Sequence, residues 1–480
     1  MNYDIIRYIL GLVIELEGIL LLLPSLVALI YKENEGYPFI IVALICIVVG
    51  LISILKKPKH QEFYSKEGFV IVALSWIVLS VFGAIPICLN GDIPNYVDAL
   101  FETVSGFTTT GASIASNVED FSKCTNFWRC FTHWIGGMGV LVFILALLPM
   151  TGGYNMHIMK AESPGPSVSK LVPKVRDTAK ILYSIYFGMT VLQFVLLVFA
   201  GMPIYDAVCT ACGTAGTGGF GIKADSMASY STIIQGIVTV FMILFGVNFN
   251  AYFYLLRTKN KKDAFKIEEV KIYFAIIFAS ILIITLNVLN RFGSVFEAFH
   301  HTAFQVGSII TTTGFATRDF NQWPQLSRTI LVLIMFCGAC AGSTGGGIKV
   351  SRILILFKSA KRELSYIIHP RIVKRIKMDR KVVDKQQVRG VSAFLVTYLC
   401  IFIGSLLIVA IDNFDLVTNF TAVAATMNNI GPGLNVVGPT GNFAQFSYLS
   451  KFVLIFDMLA GRLELYPLII LFTPAVWKKN

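Results

Sequence analysis

The sequence predicts an all-α integral membrane fold: an N-terminal two-helix hairpin, then four tandem units. Each unit is a span, a short re-entrant helix, a glycine-centred loop and a second span. Three observations carry this prediction. The 480 residues are 55% hydrophobic and 14% charged, with mean hydropathy +0.70, too apolar for a chain folded in water. Ten apolar segments approach or exceed the roughly 17–25 residues that cross a bilayer. A motif also recurs: FTTTGAS at 107–113 and ITTTGFA at 310–316, with looser copies GTGGFG at 216–221 and NNIGPG at 428–433. Its anchoring glycines, Gly111, Gly219, Gly314 and Gly431, lie 95 to 117 residues apart, about one repeat of a repeat-built membrane protein.

The hairpin is expected at 5–30 and 38–55, within a segment bounded at 1–66. Its first apolar run lacks a basic n-region and a small-residue cleavage site, so it reads as a retained helix. Unit one (67–178) places its span at 68–90, its short helix at 97–107 and its closing span at 127–150. Unit two (179–268) has 180–201, 205–215 and 231–256; unit three (269–386) has 271–290, 296–309 and 328–358; unit four (387–480) has 390–411, 415–427 and 446–476. The longest of these imply tilt or a break.

Basic residues sort to one side of this arrangement. Lys56, Lys57 and Lys66 follow the hairpin, Lys160 to Lys180 follow unit one, and the richest cluster covers 358–389. By the positive-inside rule this side is cytoplasmic, both termini lie inside and the glycine loops open outward. Topology and attraction to anionic membrane lipid thus account for the net charge of +12 without nucleic acid. The CxxC pairs Cys209/Cys212 and Cys337/Cys340 lack a second ligand pair at zinc spacing and read as small apolar residues on a helix face.

Non-helical backbone at membrane depth survives only where it is buried in protein or lines a watery path. Four such loops point to one ion pore with pseudo-fourfold symmetry. A dehydrated cation needs oxygen ligands, and backbone carbonyls supply them without formal charge. Glycine permits the backbone angles that aim carbonyls inward, and small threonines pack behind. The expected filter is therefore Thr109, Thr110 and Gly111; Thr217, Gly218 and Gly219; Thr312, Thr313 and Gly314; and Asn429, Ile430 and Gly431. Asp98, Asp206, Glu297 and Asp415 stand at the starts of the short helices, where acids are favoured. The opposite, partly negative helix ends would face the pore centre and favour a cation.

Two features belong to the cytoplasmic half. Residues 342–349, GSTGGGIK, interrupt the closing span of unit three. Ile348 between Gly347 and Lys349, and the lack of a preceding strand, exclude a phosphate loop. A mobile gate built on Gly345, Gly346 and Gly347 is expected, with a passive kink as the alternative. Arg462 lies mid-span, where an arginine costs roughly 2.5–3.5 kcal/mol and faces a cavity or a partner. Asp457 and Glu464 are its candidate partners; in the permeation path Arg462 would hinder cations. Glu15 and Glu17 in the first span read as interfacial or helix-contact residues.

TTTGAS, TGGF, TTTGF and NIGPG in four successive units, with AGSTGGGIKVSR and GRLELYPLIILF, resemble the Trk/Ktr/HKT superfamily of potassium transporters over nearly the whole chain. The extra hairpin is similar to the TrkH type of membrane subunit. The resemblance implies K+ (and Rb+) uptake across a bacterial inner membrane by a homodimer with one pore per subunit. It also implies a cytosolic TrkA-like regulatory ring that binds NAD(H) or adenine nucleotides. K+ would bind at the filter residues named above, with residues 345–347 gating and Arg462 below the filter. Gly111 stands where Na+-transporting relatives carry Ser, which implies K+. The transported ion is the expected ligand, with no cofactor in this chain. An H+- or Na+-coupled symporter needs a titratable site near the path, and the filter motifs hold no carboxylate. A membrane enzyme would have to use His133, His157, His300 or His301, which lack metal-binding spacing.

Overall fold

Long apolar stretches and short stretches of small and polar residues produce two classes of helix. The computed structural model describes residues 1–58, 65–139, 175–257 and 261–477. Tyr3–Tyr31, Tyr37–Leu55, Ser65–Leu89, Val175–Phe199, Glu268–Val288 and Lys385–Val409 form the long class. At 1.5 Å per residue they measure about 28–44 Å, enough to cross a hydrocarbon core of about 30 Å. The short class is Tyr96–Phe107, Ile204–Ala215, Val295–Ile310 and Leu416–Met427. These helices of 12 to 16 residues reach only about 18–24 Å and end at the glycine loops, as expected.

Tilt or a break is expected of the longest closing spans, and those of units two to four do break. In unit two Thr232–Phe245 turns by 92° into Phe249–Leu256. In unit three Gln325–Cys337 gives way to an irregular segment before Val350–Ile368. In unit four Tyr448–Arg462 kinks into Tyr466–Leu471 through Leu465, whose φ is +69°. In unit one Lys123–Met138 stops at Gly139, with φ +84°; the expected continuation to residue 150 lies outside the described residues. In units one, three and four the closing segment carries glycines pressed against the ends of the short helices, as described below. Lys160, Lys170 and His157 also lie outside the described residues.

The hairpin packs through glycines. A Cβ on Gly50 would sit 2.7–2.9 Å from the Cβ and main chain of Glu15, and one on Gly18 would sit 2.8 Å from the Ala43 carbonyl. Glu15 is therefore a helix-contact residue. Glu17 is not interfacial: it is fully buried, with its carboxylate against Gly83 of the third span. Its position faces the protein rather than the outer surface of the hairpin.

The molecule has two distinct ends. Tyr3 Oη donates to the Trp477 carbonyl at 2.8 Å and Arg7 to that of Lys56 at 2.7 Å, so the two chain termini adjoin. At the other end the Glu33 carboxylate accepts from the Lys123 and Cys124 amides at 2.9 and 3.0 Å. The basic stretch after Val350–Ile368 contains a two-strand antiparallel hairpin, Lys377–Met378 with Lys381–Val382. Between the ends, the spans expose apolar side chains such as Phe187, Leu192, Phe278, Leu282, Val396 and Ile403, the surface a lipid environment requires. Replacing Gly50 by Leu should force the hairpin apart and cost about 1–3 kcal/mol, read as a lowered melting temperature of the detergent-solubilised protein.

Candidate functional site

All four short helices end with the same backbone move. The amides of Thr110, Gly218, Thr313 and Ile430 donate to the carbonyls of Ser105, Gly213, Ser308 and Ala425 at 2.8–2.9 Å. Those of the preceding residues, Thr109, Thr217, Thr312 and Asn429, donate three residues back at 3.0–3.2 Å. These four preceding residues are left-handed, with φ between +54° and +60°. The pattern is a Schellman-type helix end, where glycine or asparagine normally stands. Only loop four complies; the other three hold a β-branched threonine in a region it disfavours. Two residues on, Gly111, Gly219, Gly314 and Gly431 are left-handed again, with φ from +78° to +93°.

The glycines meet across the loops. A Cβ on Gly111 would overlap the Gly218 carbonyl, one on Gly219 the Thr313 carbonyl, and one on Gly314 the Ile430 carbonyl. One on Gly431 would lie 2.8 Å from the Thr110 carbonyl. Each loop therefore stands against the next in chain order, and the fourth returns to the first. All twelve expected loop residues come together here. The threonine and asparagine side chains are buried, while Gly111, Gly219 and Gly314 are only partly so.

Several of these side chains hydrogen-bond within the protein, while the buried Thr109 hydroxyl has no hydrogen-bond partner. Thr108 and Thr110 hydroxyls pair at 2.8 Å, as do those of Thr311 and Thr313 at 2.7 Å. Asn429 Nδ2 reaches Thr110 Oγ1 and the Met458 carbonyl, both at 2.9 Å. Thr217 Oγ1 donates to the Gly216 carbonyl at 2.6 Å. Thr312 Oγ1 accepts from the Gly346 amide at 2.6 Å.

That last bond ties the loops to the irregular segment beneath them. A Cβ on Gly345 would lie 2.8 Å from the Thr311 carbonyl and one on Gly346 2.5 Å from that of Asn428. Gly347, with φ +76°, packs on Gly338. Gly136 meets the Phe107 carbonyl and Gly461 that of Met427 in the same manner. The segment is anchored by buried Glu269, whose Oε1 accepts from the amides of Ala341 at 2.6 Å and Ser351 at 3.0 Å. Lys349 Nζ donates to the Gly345 carbonyl.

Arg462 binds carbonyls, a different arrangement from the expected acid pairing. It donates to Thr344 O at 2.8 Å, to Gly137 O at 2.7 Å and to Gly136 O. Asp457 accepts from Ser405 Oγ at 2.7 Å, and Glu464 pairs with Arg352. The helix ends at Arg462, and Glu464 lies in the break with φ +58°. Of the four acids at the short-helix starts, Asp415 alone is the N-cap, accepting from Val417 and Thr418 amides at 3.0 Å. Asn95 and Ser294 cap two of the others, freeing Asp98 for Lys451 at 2.6 Å and Glu297 for Arg318 at 3.2 Å. His300 contacts Gln235 Oε1 at 2.8 Å and His301 contacts Thr317 Oγ1 at 2.9 Å.

Sequence reasoning missed a buried ion pair behind loop one. Arg129 and Glu102 meet at 2.6 Å. Glu102 also accepts from the Ile114 amide at 3.0 Å and from Ser113 Oγ, which fixes the exit of the loop. The available signal is a carboxylate inside a twelve-residue apolar helix and an arginine in the helix that follows. Arg129→Met should strand a buried carboxylate and cost about 3–5 kcal/mol, with Glu102→Gln/Arg129→Met recovering part of that in a thermal melt.

A family model described as TrkH, cation transport protein, matches residues 37–479. The chain is 37% identical to the Trk system potassium uptake protein TrkH of Salmonella typhimurium and 36% to that of Escherichia coli, with both chains covered in full. It is 32% identical to TrkG of Escherichia coli over 99% of this chain and 98% of that one. The crystal structure of the potassium transporter TrkH from Vibrio parahaemolyticus superposes with a TM-score of 0.88 at 34% identity, each chain covered in full. The chain belongs to the TrkH family of cation transport proteins.

Proposed function

We propose that this chain is the translocation subunit of a bacterial potassium-uptake system, a gated channel-like path for K+ and Rb+. One observation carries the reading: the four glycine loops abut in a closed cycle, each glycine α-carbon against the carbonyl that precedes the next loop's glycine. Such a cycle gathers main-chain oxygens around one axis, which is how a pore replaces the hydration shell of a monovalent cation. The four units at 67–178, 179–268, 269–386 and 387–480 are then pseudo-fourfold repeats, and the twelve loop residues form the filter. The relatives named as potassium uptake proteins support K+ as the ion.

Residues 345–347 lie directly under loops three and four, and Arg462 crosses from Thr344 to the first unit. This segment is the gate, held shut by Arg462. The adjoining termini and the basic 358–389 stretch belong on the cytoplasmic side of the inner membrane. A homodimer and a TrkA-like nucleotide-binding ring complete the system, and the ring docks on that basic stretch.

The test is 86Rb+ uptake into proteoliposomes with K+ or Na+ as competitor. Wild-type uptake should be blocked by K+ and little affected by Na+. Gly111→Ser displaces the Gly218 carbonyl, so Na+ should compete about tenfold better; an unchanged ratio would falsify the filter assignment. Arg462→Ala should raise basal uptake several-fold by releasing Thr344. Neutralising Lys374, Arg375 and Lys377 should weaken binding of the purified ring more than basal uptake; unchanged binding would place its docking elsewhere.

A further inference from the structure

Loop two departs from the threonine pattern, and His133 accounts for the departure. Loops one and three carry threonine on both sides of their left-handed residue: Thr108 and Thr110, Thr311 and Thr313. Loop two has glycine at both equivalent places, Gly216 and Gly218, although neither has a left-handed φ. Backbone conformation therefore does not demand glycine there. What excludes a side chain is occupied space. A Cβ on Gly218 would fall on the His133 imidazole, overlapping Cγ and Nδ1. One on Gly216 would overlap the His133 carbonyl and lie 3.0 Å from its Cβ.

The ring is fully buried and rests on Phe220, centroid to centroid 4.4 Å. Nδ1 lies 2.8 Å from the Gly106 carbonyl, and the Phe220 amide points at Nε2 from 3.2 Å. A carbonyl only accepts, so Nδ1 bears the hydrogen. An amide N–H only donates, so Nε2 is bare. The imidazole is the neutral Nδ1–H tautomer, and it links the end of the first short helix to the exit of loop two.

We infer that His133 is a positioning residue of the ion path. Its ring stands in for the side chain that loop two lacks at 218, and its own backbone occupies the corresponding place at 216. It thereby sets the place of the Gly218 carbonyl, the one that faces Gly111. This inference rests on the pore reading above.

The test compares full-length wild type, Gly218→Thr, His133→Ala and His133→Ala/Gly218→Thr by 86Rb+ uptake with K+ and Na+ competition. Gly218→Thr should lose about tenfold in K+ preference or uptake, because its side chain meets the imidazole. His133→Ala should shift the ratio of K+ to Na+ competition constants at least about threefold while changing maximal uptake less. The double variant should move back toward the wild-type ratio, since the introduced threonine then has the space that Thr110 and Thr313 occupy in their own loops. A tolerated Gly218→Thr, an unmoved ratio in His133→Ala, or a double variant as impaired as the worse single would overturn the inference. If Gly218→Thr does not accumulate as folded protein by size exclusion, recovery of folded protein in the double variant supports the inference and its absence overturns it. Gly111→Ser run alongside separates the two layers. Should it too leave competition unchanged, the pore reading fails; should it shift competition while the His133 series does not, the positioning role alone falls.

Discussion

The molecule is organised by a contact between an α-carbon and a neighbouring carbonyl, repeated around a cycle of four loops. No side chain fits at that contact, so each loop holds its place only because the next one does. The arrangement is costly: three threonines sit in the left-handed region, at roughly 1–2 kcal/mol each. Hydrogen bonds between the loops and their surroundings offset the strain, with Asn429 joining loops four and one and Thr312 joining loop three to the segment below. The four short helices must all end at this cycle for it to close.

The second tier follows from the first. Gly136, Gly345, Gly346 and Gly461 bring three closing segments up against carbonyls at the ends of the short helices. A helix with larger residues at those places would push the cycle open. Arg462 then satisfies carbonyls from two units, and buried Glu102 and Arg129 hold the exit of loop one. Buried charge is expensive unless it is paired and hydrogen-bonded. Here it is used where main-chain groups have left regular structure and need partners.

Much of this was legible in the sequence. Gly111 and Gly314 within TTTG tracts, set between apolar runs of unequal length, indicate both the short helices and the loops that follow. That the closing spans break was legible in their length and in the GSTGGGIK run, but where and how sharply was not, because apolar composition does not distinguish a gentle tilt from a turn of 92° between Phe245 and Phe249. The partners of Arg462 left no trace either: a main-chain carbonyl is the same whatever residue bears it, and the nearby acids Asp457 and Glu464 were the visible alternative. Glu102 and Arg129 were visible as residues but not as a pair, since only the packing of two helices brings them to 2.6 Å. The glycines of loop two looked like a weaker copy of the motif, when the missing side chain is supplied by His133 from the preceding unit.

Glu269 fixes both ends of the irregular segment to one carboxylate oxygen on another span. The stretch between Ala341 and Ser351 is thus an eyelet whose two feet do not separate. If the segment is the gate proposed above, its tip, Gly345 to Gly347, would swivel about the line through those feet. On that reading the space under the loops would change without any long helix being displaced.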